Sequence, residues 1–134
     1  MKLIGFNLTK IHAERFPANL SDLKIETSIN IKSIEENSFE GEEKFLNVAF
    51  SYIIDYSKKI ARIELEGNII ISTDEKSAEE ILKSWGKRNL KDPFKVGIFN
   101  GIMLKANIKA IQIEDELGLP THFQMPSLEI PKKE

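Results

Sequence analysis

The side chains that could do chemistry are few, and their spacing assembles no familiar site. The chain has two histidines and no cysteine. His12 and Glu14 could share one strand face, although a solvated strand edge explains them better. The acidic run at 114–116 offers three carboxylates, but successive residues on a helix point about 100° apart. That run is therefore predicted to be a solvated helix end rather than a metal site, and His122 has no partner at metal-ligand spacing.

The motif inventory points the same way. No serine lies in a GxSxG context, and the chain contains neither GxGxxG nor GxxxxGK. Without cysteine there are no disulfides, thiol nucleophiles or thiolate metal sites. We therefore predict that the protein is not an enzyme and needs no metal and no cofactor.

Composition bounds the class of protein. The 134 residues fit one domain, 1–134, and the net charge of −2 argues against a nucleic-acid binder, which needs a basic surface. The apolar run at the N-terminus is too short for a signal peptide, and no stretch approaches the length of a membrane helix. The expectation is a cytoplasmic protein without membrane insertion.

The first half of the chain alternates apolar and polar residues with period two, which is typical of antiparallel strands with one covered face. Four such runs are present. A change of phase near Thr9 predicts a bulge in the first strand, and Gly67 predicts a kink or bulge in the last.

The second half changes to helical spacing. Ser77 and Glu80 have the spacing of a capping box, which predicts a short helix that ends at Gly86. Asp92 followed by proline predicts the start of a long helix that reaches Gly118. Residues 118–134 are predicted to be an extended tail. Strands followed by helices indicate an α+β fold with the helices on one face of the sheet.

The long helix carries two apolar seams. A helix that rests on a sheet and otherwise faces water needs only one, so the second seam predicts another partner. The sheet-facing seam is predicted to be Phe99, Met103, Ala106, Ala110, Ile113 and Leu117. The partner-facing seam, a predicted oligomer interface, is Gly97, Gly101, Leu104, Ile108 and Ile111. The two assignments could be exchanged, and the tail residues Phe123, Met125, Leu128 and Ile130 could instead fold back over the second seam.

In order and spacing, these elements resemble the SecB-like family of protein-export chaperones. The first strand at 8–16 resembles the opening strand of that family, and the Gly67 strand resembles the last strand of its sheet. The segment 100–126 is similar to the family's long helix and the proline segment after it. The family's further helix has no counterpart in the sequence, so either an archaeal export route or a toxin–antitoxin role is open.

The resemblance implies a four-stranded antiparallel Greek-key sheet with a short helix and the long C-terminal helix packed on it. It also implies homo-oligomers, as dimers or tetramers, and ATP-independent holdase binding of unfolded polypeptides. Large apolar residues near loops are the candidates for lining a peptide groove: Phe16, Phe45, Tyr56, Phe123 and Met125. The alternative is a small-ligand-binding or scaffold module of the same architecture with one specific protein partner. A continuous apolar groove favours the chaperone, and a closed pocket with convergent polar groups favours a ligand.

Overall fold

The computed structural model describes residues 1–17, 22–37, 43–57 and 60–123. Their secondary structure follows the predicted order of four strands and two helices. The strands are β1 (Lys2–Arg15), β2 (Ile25–Asn37), β3 (Lys44–Tyr56) and β4 (Ala61–Thr73). The helices are α1 (Glu75–Gly86) and α2 (Phe94–Glu116).

The four strands form one antiparallel sheet in the order β1-β4-β3-β2. Three consecutive strands, β2 to β4, form a meander, and β1 lies beside β4 across a longer connection. This is the Greek-key order. The predicted α+β fold, with its four-stranded antiparallel sheet and its short and long helices, is confirmed.

The core lies on the face of the sheet that α2 covers. In β3 the buried residues are at even positions from Leu46 to Tyr56, and in β4 at odd positions from Ala61 to Ile71. Their side chains share one face because side chains alternate along a strand. The opposite face carries ion pairs such as Lys32 with Glu66, beside a few apolar side chains such as Ile53 and Ile70. The alternation of apolar and polar residues in the sequence therefore correctly predicts which face of the sheet is covered and which is exposed to solvent.

A bulge at Thr9 absorbs the change of phase in β1. Leu8 pairs with Gly67 and Lys10 pairs with Glu66, so Thr9 is the extra residue, as predicted. Gly67 is needed for a different reason, because a Cβ atom there would overlap the carbonyl oxygen of Asn7. Close approach of β1, rather than a bulge in β4 itself, explains this glycine.

The predicted start of α1 is wrong by one turn. Asp74 is the N-cap residue, and its side chain accepts a hydrogen bond from the backbone N–H of Ser77. Aspartate caps a helix as well as serine does, so the capping-box spacing at 77 was misleading. For α2 the N-cap is Pro93, and Asp92 makes no capping bond there.

The sheet-facing side of α2 differs in part from the predicted seam. Ala106, Ala110 and Ile113 are buried, as expected. Toward the N-terminus, however, Ile98 and Ile102 are buried, whereas Met103 is 41% exposed and Phe99 is half-buried. Outside its acidic end, α2 has apolar residues at adjacent positions, such as Ile98 and Phe99. Helical periodicity alone therefore cannot tell which of two neighbouring residues faces the sheet.

Part of the second seam packs against this chain, and the rest is exposed to solvent. Gly97 faces Met1, and Gly101 faces Leu3 and Ile69, so both glycines approach their own sheet rather than a partner. The place of the two glycines in the predicted oligomer interface stays a prediction. Leu104 and Ile108 are 65% and 56% exposed, and Ile111 is half-buried. Their role in self-association stays a prediction.

Candidate functional site

An open groove of about 300 Å³ lies between α2 and the edge strand β2. Among the described strands, β2 has β3 as its one neighbour, so its other edge borders the groove. Phe99 and Met103 line it from α2, and Phe123 lines it from the segment after the helix. The remaining lining residues are Thr27, Ser28, Ile29, Tyr52, Asn107 and His122, so the lining includes no acidic residue, lysine or arginine.

Below the groove, five polar side chains from three parts of the chain form one hydrogen-bonded cluster. We call Tyr52, Tyr56, Asn107, Glu114 and His122 the polar network. Glu114 has no exposed side-chain surface, and the side chain of His122 is 4% exposed. No polar side-chain atom buried in the described part of the chain lacks a hydrogen-bond partner. The cost of burying these polar groups is therefore offset by their mutual bonds.

Glu114 is the centre of one half of the network. Its Oε1 lies 2.9 Å from Nδ1 of His122, and its Oε2 accepts a hydrogen bond from the hydroxyl of Tyr56. The Tyr56 hydroxyl is thus the donor to one carboxyl oxygen, and the His122 ring lies at hydrogen-bond distance from the other. The prediction that the acidic run is a solvated helix end is thus wrong for Glu114, although Asp115 and Glu116 are exposed.

Asn107 is the centre of the other half, directly under the groove. Its Oδ1 accepts a hydrogen bond from the Tyr52 hydroxyl at 2.6 Å and lies 2.8 Å from Nε2 of His122. The Tyr52 hydroxyl is also 3.0 Å from that same nitrogen. His122 therefore bridges the two halves, with one ring nitrogen on Glu114 and the other on Asn107.

Both tyrosines are held in the protonated form. Burial, reinforced by the nearby charge of Glu114, raises the pKa of Tyr52 to about 12. Burial also raises the pKa of Tyr56 far above its usual value, together with the hydrogen bond to Glu114 and its charge. The network therefore keeps both hydroxyls as donors at neutral pH.

A short segment after α2, residues 119–123, closes one end of the groove; we call it the latch. Leu119 is 7% exposed and joins the core. The carbonyl oxygen of Pro120 lies 3.2 Å from the Tyr56 hydroxyl. Upstream, Arg15 of β1 donates to the carbonyl oxygens of Leu117 and Gly118. Gly118 has φ of 65°, a conformation that glycine tolerates and that reverses the chain toward the sheet.

The predicted groove residues do not come together. Phe123 lines the groove, but Phe16 follows β1 and is 50% exposed elsewhere, and Phe45 lies at the start of β3 on the face opposite α2. Tyr56 is fully buried, which corrects its place among the lining residues because it offers no surface to a ligand. Met125 lies outside the described residues.

The polar network was missed because its members are far apart in sequence. Tyr52 and Asn107 are 55 residues apart, and Tyr52 and His122 are 70 apart. One signal was available. Glu114 stands four residues after Ala110 on the apolar seam, and an acidic residue at such a position indicates a buried partner. His12 and Glu14, by contrast, form an exposed ion pair at 3.3 Å on β1.

The described residues hold no group of three or more histidine, cysteine, aspartate or glutamate side chains that could bind a metal ion. In the same part of the chain, neither helix combines the length and apolar character needed to cross a membrane. What the groove offers chemically is apolar contact, a few hydrogen-bonding side chains and an edge of β2 that no other described strand pairs with.

Comparison with protein-family models gives no match. The search of curated proteins gives no match either. Among solved structures, the chain is similar to the SecB-like chaperone Rv1957 of Mycobacterium tuberculosis, solved in complex with a ChAD peptide from the Rv1956 HigA1 antitoxin. The TM-score is 0.55 at 12% identity, over 98% of this chain and 92% of that one. The likeness establishes a SecB-like fold.

Proposed function

We propose that this protein is an ATP-independent holdase chaperone that binds extended apolar polypeptide segments in the groove between α2 and β2. The observation that carries the proposal is the open groove, lined by Phe99, Met103 and Phe123 and by no acidic residue, lysine or arginine, beside an edge strand with one described neighbour. A catalytic role is not part of the proposal. Its setting is the cytoplasm, with export or toxin–antitoxin control as the pathway.

The geometry suits an extended chain. An added segment can hydrogen-bond to the free edge of β2 in the manner of strand addition. Because side chains alternate along a strand, every second residue of the client would point toward the apolar lining. Phe99, Met103 and Phe123 would receive those side chains. Backbone pairing is insensitive to sequence, which suits a protein that accepts many clients.

The comparison supports a peptide-binding role. Rv1957, which has this fold, was solved with a peptide from another protein. We extend that to this chain as a proposal, since the groove described here is open and has large apolar side chains, Phe99, Met103 and Phe123, in its lining. Self-association into dimers or tetramers belongs to the same proposal.

The direct test is suppression of aggregation. A client protein such as chemically unfolded citrate synthase is diluted into buffer, and light scattering is followed with and without this protein. We expect scattering to fall as the protein approaches stoichiometric amounts, without ATP. Undiminished scattering at about a fourfold excess, well beyond saturation of a tight site, would contradict the proposal.

A matched pair of variants on α2 locates the site. Met103 lines the groove and is 41% exposed, whereas Val96 is 52% exposed and is not among the lining residues. Met103→Ser should weaken binding of a fluorescent apolar peptide roughly five- to twentyfold, through about 1–2 kcal/mol of lost apolar contact. Val96→Ser should leave the affinity unchanged. Equal effects of the two substitutions on anisotropy titrations would place the site elsewhere.

A module for one specific partner is the second candidate. The convergence of Tyr52, Asn107 and His122 on the groove favours it, because such groups can select a particular side chain. A panel of apolar peptides separates the two. A holdase should bind most of them with similar affinity, while a dedicated module should bind one and reject the others.

A further inference from the structure

The groove and the latch share one residue, His122. Its ring lines the groove and also lies edge-on to Phe123, with ring centroids 4.8 Å apart. Phe123 is 38% exposed, and its ring packs edge-on against that of His122 in this part of the groove wall. Whatever holds His122 in place therefore also sets the position of the wall.

Both ring nitrogens of His122 face oxygen atoms that act as acceptors. Nδ1 is 2.9 Å from Oε1 of Glu114, and Nε2 is 2.8 Å from Oδ1 of Asn107. A carboxylate and an amide oxygen can only accept hydrogen bonds. The doubly protonated imidazolium ring donates to both at once. It also balances the charge of Glu114, which is fully buried.

A neutral ring cannot keep this arrangement. If Nδ1 keeps its proton on Glu114, the lone pair of Nε2 faces the oxygen of Asn107. The Tyr52 hydroxyl, 3.0 Å away, can donate to Nε2 only by leaving Asn107. Loss of one proton from His122 therefore forces a change of partner on two other residues that line the groove.

Few other ionisable groups bear on the ring. From β3 the hydroxyls of Tyr52 and Tyr56 face the network, and the second binds the far oxygen of Glu114. From β1 the guanidinium of Arg15 binds carbonyl oxygens just before the latch. The groove-lining part of β2, residues 27–29, has no ionisable side chain. His122 and Glu114 are thus the pair whose proton content sets the arrangement.

We propose that His122 is a proton-dependent positioning residue for the groove. Its imidazolium form holds the latch, including Phe123, as a fixed wall, and loss of the proton loosens that wall and weakens binding of apolar segments. The inference rests on the proposed function for its binding consequence, but the movement of the latch is independent of any client. A preformed wall strengthens binding because less freedom is lost when the ligand arrives.

Amide hydrogen exchange tests whether the latch loosens when His122 loses its proton. The chain has two histidines, so His12→Gln is a matched control, because His12 lies exposed on β1. Exchange at residues 119–123, corrected for the intrinsic effect of pH, is compared between about pH 5.5 and pH 8. We expect protection to fall about tenfold in the wild type and in His12→Gln. In His122→Gln, which hydrogen-bonds without titrating, protection should not depend on pH.

Under the same conditions, anisotropy titrations with the fluorescent apolar peptide test whether binding weakens when the latch loosens. Affinity should fall about three- to tenfold toward high pH in the wild type and stay level in His122→Gln. Latch protection that does not change with pH, or that changes equally in His122→Gln, would overturn the inference. So would a pH-dependent latch with pH-independent affinity. A wild type that binds no peptide at any pH refutes the proposed function instead, while exchange still decides whether the latch responds to protons.

Discussion

The side chain of Glu114 is fully buried, and the polar side chains around it lie where they can hydrogen-bond to its carboxyl group. Tyr56 and His122 supply the two donors, and Tyr52 is held protonated by burial and by the same charge. A buried carboxylate is stabilising only when it is bonded in this way. The network therefore makes the position of α2 relative to β3 specific, beyond what apolar packing alone would achieve.

The tyrosines give this network a measurable signature. The chain has two tyrosines, both in the network, so tyrosinate absorbance reports on them alone. In the folded protein the pKa of Tyr52 is raised to about 12 and that of Tyr56 is raised further, against about 10 in an unfolded chain. The protonated hydroxyls therefore add stability that is complete below about pH 10 and lost as the pH rises toward and through 12.

Spectroscopic titration in native buffer and in urea checks this expectation. Tyrosinate should form near pH 10 in urea and only near or above 12 in the native protein, together with unfolding. Tyr52→Phe should leave a single native transition at the higher pH. A native midpoint close to 10 for both groups would show that the hydroxyls reach solvent.

At the scale of elements, the sequence predicted the types and order of strands and helices because each depends on local spacing. The alternation of β3 and β4 and the bulge at Thr9 could be recognised from a few neighbouring residues. The orientation of α2 could not, since Ile98 and Phe99, or Ile102 and Met103, are equally apolar. The choice between them depends on the shape of the sheet below. The polar network also depends on pairs far apart in sequence, such as Tyr52 with Asn107, and for these the position of Glu114 on the apolar seam is the only local signal described above.

Two glycines offer a test of how closely the strands approach. A Cβ atom at Gly67 would overlap the backbone of β1 at Asn7, whereas one at Gly86 would meet nothing within 4 Å. Gly67→Ala should lower the free energy of unfolding by about 1–3 kcal/mol, because the backbone of β1 has to move. Gly86→Ala, at the end of α1, should be neutral or stabilise the protein by up to about 1 kcal/mol. Urea denaturation measures both, and similar values for the two would contradict the packing described at Gly67.

At the scale of the whole molecule, α2 has more apolar surface than one sheet covers. Leu104 and Ile108 project into solvent, and Ile111 beside them is half-buried. The glycines once grouped with them belong to the contact with β1 and β4. The remaining exposed apolar strip borders the groove, because Leu104 and Ile111 lie three and four residues from Asn107 on the same helix and Asn107 lines the groove.

Self-association through this strip has a direct test. The double variant Leu104→Glu, Ile108→Glu places two charges on the predicted interface and should dissociate an oligomer to the monomer mass of 15.3 kDa. Val96→Glu, on an exposed position of the same helix, should leave the mass of the wild type unchanged. Light scattering coupled to size exclusion gives the masses. A wild type that is already monomeric would refute the interface.

The polar network also bears on the lifetime of the folded chain. The hydrogen bonds of its two tyrosines join residues separated by 55 to 70 positions, so those bonds can form only after the hairpin of β3 and β4 and most of α2 are in place. Closing such long loops costs entropy, which places these contacts late on the folding route. Interactions that form late act mainly on the rate of unfolding. The bonds around Glu114 should therefore determine how long the native state persists once formed, and leave the speed at which it forms almost unchanged.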